Sequence, residues 1–402
     1  MKMKKIIALL ICLFASCLFL ASCEEAIGGY LKEYYEKYKP EPEYYVMYDF
    51  YIISEDGTDT MAKSTVNEKI NQVFGDKYKT KLNMIFLSYD NYEAQLRVDL
   101  GLDQPTDDIK QTQTNLPKDY TYGGKIVLIN DADMLDYLGD KLVDLKPYLA
   151  TSDFGTLNTQ INAPLLAAAD VNGKKLAIPN NRVYGEYEYI CINRAIAENK
   201  LNFSALTEIP AIKTEDDVNE LFAAYAASLG KTELTEAEKN SLVRYENGQY
   251  DLKSEINGGI AAGYEKNADN DWMCNVVVYP TATLEIAYAS AFGIIPTDDL
   301  IVKDDEGKDK VAVDYTYRAM QIVYAFNSDK EAHNLLAYGV PNTNYRLNNE
   351  DFVNPLTEQG SKYFMNLDYC GDVFKSYYSA DWTQKMAESA ANQVKESVLF
   401  GE

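Results

Sequence analysis

Three strand-like apolar runs separated by helix-length stretches set the tightest limit on how this chain can fold. The runs are Tyr45–Ile53, Leu82–Leu87 and Gly124–Asn130, and between them Thr60–Phe74 and Asn91–Leu100 carry helical spacing. Strands alternating with helices on short connections point to a mostly parallel sheet covered on both faces. The polar turn Ser54-Glu55-Asp56-Gly57 closes the first run, and Gln104–Tyr120 reads as a polar loop. The alternation continues with a helix near Thr156–Ala169 and strands at Lys175–Ile178, Tyr187–Asn193 and Val276–Tyr279. Helices are expected at Thr316–Asn327, Lys330–Leu336 and Asp381–Ser397. Thr214 can cap a long helix whose dipole Glu215, Asp216 and Asp217 complement.

The first residues read as an address. Lys2, Lys4 and Lys5 form a positive start, and Ile6–Leu20 is an apolar run too short to span a membrane comfortably. It ends in Leu20-Ala21-Ser22-Cys23, which resembles the bacterial lipoprotein processing box. There Cys23 would take a diacylglycerol on its sulfur and become the mature N-terminus, with palmitate-type acylation. More than one acyl chain is needed because a single chain holds a membrane only marginally. Residues 1–22 are thus expected to be a signal peptide and 23–43 a tether, ended by Pro40 and Pro42. The expected location is extracytoplasmic, lipid-anchored to the bacterial cell membrane.

Charge and rare residues exclude several functions. The 62 Asp+Glu against 38 Lys+Arg leave a net charge of −24, which repels phosphate backbones, so no nucleic acid is expected as a partner. The single histidine, His333, removes His-rich metal sites and leaves any Ser-His or Cys-His device hanging on one residue. Beside Glu331 in a helix, it reads as a solvated surface residue. Cys191, Cys274 and Cys370 are odd in number and widely spaced, which favours buried free thiols over a disulfide framework. No phosphate-binding glycine loop, H-E-x-x-H or G-x-S-x-G occurs, and the acidic clusters Asp131/Asp133/Asp136 and Asp304-Asp305-Glu306-Gly307 lack calcium-loop spacing. Neither a cofactor nor a metal is implied. Among 62 acids any carboxylate pair could be nominated as a glycosidase couple, so none carries weight.

From about Leu145 onward the chain resembles extracellular solute-binding proteins of bacterial ABC importers, the carbohydrate-type lipoprotein subtype. The likeness rests on Leu145-Lys146-Pro147-Tyr148-Leu149 and on Gly173–Arg182 leading into Tyr187–Asn193. It continues through Ile212–Asp217, Arg318-Ala319-Met320, Asn327–Lys330, Tyr338-Gly339-Val340 with Tyr345, and Gly371-Asp372-Val373-Phe374 with Trp382. Pro341-Asn342 stand where the family usually has Glu-Gly, and Lys395–Glu402 resembles a point at which relatives continue for further helices. The resemblance implies an α/β, two-lobe periplasmic-binding-protein-like (type II) fold. Each lobe would be a mostly parallel sheet flanked by helices, with a hinge between lobes and ligand in the cleft. Lobe 1 would hold 44–183 and 277–327, and lobe 2 would hold 184–276 and 328–402.

The function so implied is capture of a small-molecule solute, a sugar or oligosaccharide, for the permease subunits of an importer, by a monomer that is not an enzyme. Alternatives are recognition of a peptide or other solute, a surface glycosidase or esterase, and an adhesion lipoprotein. The 33 tyrosines against 14 phenylalanines fit a surface that grips sugars, since an aromatic plane covers the C–H face while amides, carboxylates and hydroxyls pair with the rim. Loops at the carboxyl ends of parallel strands hold such ligands. That rule nominates Asn180, Asn181 and Arg182 after one strand, Tyr184 at the crossover, and Trp272 and Tyr279 around the returning strand. Trp382 joins them from the family-like C-terminal segment. For any one tyrosine the competing role is half-buried packing.

Overall fold

The structure is a computed structural model describing residues 44–182, 186–204, 214–243, 245–246, 249–250, 252–256, 272–276, 282–303, 307–348, 351–380, 382–384 and 387–388. The signal, the tether, Cys23, Tyr184, Tyr279 and most of the C-terminal helix expected from Asp381 lie outside these residues. The chain divides into two units, residues 1–181 with 284–377, and 182–283 with 378–402.

The first unit is built on a five-stranded sheet. Its strands are β1 (Tyr45–Ile53), β2 (Thr80–Leu87), β3 (Tyr120–Ile129), β4 (Ala177–Pro179) and β5 (Ala291–Pro296), in the order β2-β1-β3-β5-β4. β1 pairs in parallel with β2 and with β3, whereas β5 runs antiparallel to both of its neighbours. Helices α1 (Thr60–Tyr78), α2 (Tyr89–Asp99), α3 (Tyr315–Ser328) and α4 (Lys330–Tyr338) accompany the sheet. The unit is therefore mixed α/β with a mostly parallel sheet, as the alternation implies.

Local sequence explains these elements. β1 is buried along almost its whole length because both of its faces are covered, as a central strand requires. α1 buries Ala62, Val66, Ile70 and Phe74, one residue per turn, and stops at Lys79, which takes a left-handed conformation and returns its N–H to Gly75 O. On one face of the sheet Phe326 of α3 packs against Phe50, Phe74 and Phe292.

The other face holds a buried acid. Asp49 of β1 accepts from Asn83 Nδ2 at 2.8 Å, from the Thr114 hydroxyl at 2.8 Å and from the Tyr122 hydroxyl at 2.8 Å, with Lys125 Nζ at 3.4 Å. Asp99 accepts from Thr112 N and Thr112 Oγ1, both at 2.6 Å, and from the Tyr51 hydroxyl at 3.0 Å. These two carboxylates explain the polar 104–119 segment, whose threonines satisfy buried oxygens that apolar residues would leave unpaired.

Residues 328–377, assigned above to the second lobe, belong to the first unit. The reason lies in a set of ties no periodicity displays. Lys77 of α1 bridges Asp329 at 3.0 Å, the Tyr363 hydroxyl donates to Leu336 O, and the 360–364 segment runs along the turn after β1. β5, too, is a strand that no periodicity displays. His333, expected on the surface, is fully buried, since its imidazole bridges the Cys370 carbonyl and the Ser376 hydroxyl at 3.1 and 2.7 Å. A carbonyl only accepts, so Nδ1 carries the proton and Nε2 accepts from Ser376. Cys370 is a buried free thiol, as expected of it.

In the second unit Leu252–Ile256, Glu186–Ile192 and Trp272–Val276 form a sheet paired antiparallel throughout, and Tyr245–Glu246 pairs antiparallel with Gln249–Tyr250. Among the described residues this sheet differs from the mostly parallel one expected of each lobe: Glu186–Ile192 runs against both of its neighbours. Ile192, Val218, Leu221, Phe222, Leu242 and Val243 make its core. The helix Glu215–Ser228 begins with the capping anticipated at Thr214, whose hydroxyl and the Asp217 carboxylate reciprocally satisfy backbone N–H groups.

Candidate functional site

β1 and β2 end together, with Ile53 opposite Leu87, so the turns that follow them share one edge of the sheet. In open α/β sheets this carboxyl edge is where ligands lie. Ser54 N donates to Leu87 O at 2.9 Å, fixing the start of the 54–57 turn against β2. Farther along, Glu55 N donates to Phe364 O and Asp59 N to Lys362 O, while the Asp59 carboxylate accepts from Gly360 N at 2.7 Å. This lacing sets the following residues, Asn366 and Tyr369, beside the turn.

The result is a cavity of about 240 Å³ lined by Ile53, Ser54, Glu55, Asp56, Ser88, Tyr89, Asp90, Asn366 and Tyr369. Tyr89 is the first residue of α2 after its N-cap Ser88, and at 63 % exposure it presents an open aromatic face. Glu55, Asp56, Asp90 and Asn366 are exposed, placing three carboxylates and an amide around that ring. Ser54 is only 3 % exposed, lines the cavity, and its hydroxyl has no hydrogen-bond partner among the described residues. A hydroxyl that lines a cavity on an otherwise buried residue can meet a ligand's polar group. Tyrosine face, carboxylate and amide rim, and an available hydroxyl together match the polar edge and apolar face of a pyranose ring.

A larger hollow of about 490 Å³ lies at the opposite, amino-terminal pole of the same sheet, between Tyr45, Tyr120, Lys79 and Lys81. Its aromatic faces are already engaged. Lys79 Nζ stands 5.2 Å from the Tyr45 ring centre, Lys81 Nζ 4.9 Å from that of Tyr120, and the two rings are 5.1 Å apart. The carboxyl-edge cavity, with its free ring, is the better candidate.

The nominated residues fare differently. Asn180 is fully enclosed, and its amide donates to Ser290 Oγ at 2.8 Å and to Asp368 O at 3.1 Å. Asn181 accepts from Asn162 N and donates to Gln160 O and to Asp372 Oδ1. The Asn181 amide and the Asn180 Nδ2 are engaged in joining the end of β4 to the 160–162 and 368–372 segments, where ligand contact was expected, while the Asn180 Oδ1 is buried without a hydrogen-bond partner among the described residues. Arg182 and Trp382, in the second unit, are buried, and Trp382 N donates to Ser379 Oγ at 3.1 Å. Trp272 opens a strand, and its side chain, like Tyr184 and Tyr279, lies outside the described residues.

Tyr89 and Asp90 are not among the nominated residues, and neither are Glu55 and Asp56 of the 54–57 turn; the structure places the first pair at the start of α2 and brings all four to the cavity. The signal was available: both pairs directly follow parallel strands.

Asp372 also departs from ordinary behaviour. Its burial pushes the carboxyl up to about 6, against the opposing pull of Lys375, the Phe374 N–H and Asn181. It anchors Asn181 and the turn Val373–Lys375, and it stands apart from the cavity lining. Among the described residues no group of three His, Cys, Asp or Glu side chains could hold a metal ion, and no helix is long and apolar enough to cross a membrane.

No protein-family model matches the chain, and no curated protein is similar to it in sequence. Solved structures do match its course. One is the N-glycan transport solute binding protein NgtS from Streptococcus pneumoniae, in complex with Man5GlcNAc. It is 12% identical with a TM-score of 0.48, over 88% of this chain and 83% of that one. The extracellular solute-binding protein family 1 member from Alicyclobacillus acidocaldarius is 14% identical over 46% of this chain and 39% of its own, with a TM-score of 0.28. A periplasmic oligogalacturonide binding protein from Yersinia enterocolitica is 12% identical over 46% and 37%, with a TM-score of 0.27. These are the kind of protein that the sequence resembles.

Proposed function

We propose that this chain is a lipid-anchored extracellular binding protein that captures a saccharide for an ABC importer and releases it unchanged. The observation that carries the reading is the carboxyl-edge cavity, where the open Tyr89 ring, the Ser54 hydroxyl and the Asn366 amide converge. Its 240 Å³ falls below the ~300–1,000 Å³ of whole ligand pockets, so it suits one ring of a longer solute. The export-type start and Cys23 support the anchor, and the order of the family-like segments supports the importer. Arg182, Tyr184, Trp272, Tyr279 and Trp382 are likewise proposed as saccharide-binding residues.

The glycosidase alternative asks for a desolvated carboxyl as general acid beside a second carboxylate. Glu55, Asp56 and Asp90 are all exposed, which disfavours that reading at this cavity.

A thermal-shift panel of neutral and amino oligosaccharides, peptides and amino acids tests the proposal. Saccharides are expected to raise the melting temperature of the wild-type chain. Tyr89→Ala should weaken that binding roughly fivefold, the worth of one aromatic contact of about 1 kcal/mol. Stabilisation by peptides alone, or by no solute, refutes the reading.

A further inference from the structure

The charge around the cavity sets which saccharides it can hold. Glu55, Asp56 and Asp90 are exposed at its rim, and no basic residue lines it. Lys63, which acts on Asp56, stands outside the lining. Three negative charges and no positive one thus line the cavity. The open ring of Tyr89 lies among them, and an aromatic face attracts a cation and not an anion. Ser54, a residue only 3 % exposed that lines the cavity, adds a hydroxyl oxygen that can accept from an ammonium N–H. The basic residues of this unit's other hollow, Lys79 and Lys81, lie at the opposite pole of the sheet and do not offset this field.

From this juxtaposition we infer that the cavity selects saccharides bearing a free amine over their acetylated counterparts, and rejects uronates. The inference rests on the reading of this cavity as the saccharide site. An ammonium group on the bound ring would meet the rim carboxylates and the Tyr89 face, whereas a carboxylate in the same place would be repelled by every charge lining the cavity. Because the rim is exposed, the discrimination is modest and depends on ionic strength.

Titration calorimetry on the full chain at about pH 6, where amines are charged, tests this with three probes of equal length. They are a glucosamine tetramer, the N-acetylglucosamine tetramer and a galacturonate tetramer. The glucosamine tetramer is expected to bind roughly fivefold more tightly than the acetylated one at low salt, with the galacturonate weakest. The ratio should shrink as salt rises, and in Asp56→Asn/Asp90→Asn it should move toward one, whatever the absolute affinity of that variant. Equal binding of the three probes, a ratio insensitive to salt, or preference for galacturonate overturns the inference while leaving saccharide capture standing. Failure of every saccharide to bind overturns the capture reading, and this inference with it.

Discussion

His333 offers the sharpest test of how the first unit is held together. The imidazole is fully buried on α4, donates from Nδ1 to Cys370 O and accepts at Nε2 from Ser376. Burial lowers its pKa from 6.5 to about 4, so the neutral form is the one the fold accepts. A folded pKa below the unfolded one means that the unfolded chain binds the proton more readily. Stability is thus intact above pH 6.5 and is lost as pH falls toward 4. The full difference of about 2.5 units corresponds to about 3 kcal/mol, of which about 2 kcal/mol is lost between pH 7 and pH 4.5. Asp372 works in the other direction. Its folded pKa of about 6 lies above 3.8, so protonation stabilises the fold as pH falls through 6 and returns about 2 kcal/mol over the same interval.

The two groups therefore largely cancel in the wild type, and each substitution exposes the other. His333→Gln should make the change in stability from pH 7 to 4.5 more favourable than wild type by about 2 kcal/mol, and Asp372→Asn less favourable by about as much. Denaturant titrations followed by far-UV circular dichroism at the two pH values measure this. Both tryptophans, Trp272 and Trp382, belong to the second unit, so their fluorescence does not report on the first. The comparison uses the change with pH within each variant, so the cost of removing the side chain drops out. If His333→Gln follows the wild-type pH dependence within about 0.5 kcal/mol, the imidazole is not a buried neutral group and the reasoning is refuted.

Three further outcomes follow from the packing. Phe326→Ala removes a ring that touches Phe50, Phe74 and Phe292, and should cost about 3–5 kcal/mol of first-unit stability in the same titration. Gly371 has a φ of +111°, and a Cβ there would stand 2.3 Å from the Phe326 carbonyl oxygen, so Gly371→Ala should cost ~2 kcal/mol or more, seen as a lower denaturant midpoint. Thr214→Ala breaks the capping box of the Glu215–Ser228 helix and should cost about 1 kcal/mol, read by tryptophan fluorescence of the second unit.

Much of the fold is legible in the sequence because its signals are local. β1 is a long β-branched and aromatic run, α1 repeats a buried residue at each turn, and Thr214 carries a short-range cap. What stayed hidden depends on contacts distant in sequence. β5, Ala291–Pro296, is short and contains a glycine and a proline, which mark a turn as readily as a strand. His333 sits on α4, a helix buried on nearly every side by the 363–377 segment, and no helical period predicts such enclosure. The same segment explains the misassigned 328–377. At the carboxyl ends of the strands Asn181 and the Asn180 Nδ2 answer to buried partners, while Tyr89 stands open. Only the packing separates the two outcomes.

Titration of the intact chain with a series of neutral and amino oligosaccharides, followed by chromatography of the recovered sugar, addresses saccharide capture most directly. The account predicts a saturable heat for at least one of them, reduced in Tyr89→Ala, with the sugar recovered intact. Shortened sugar products, or heats that Tyr89→Ala leaves unaltered, would contradict it.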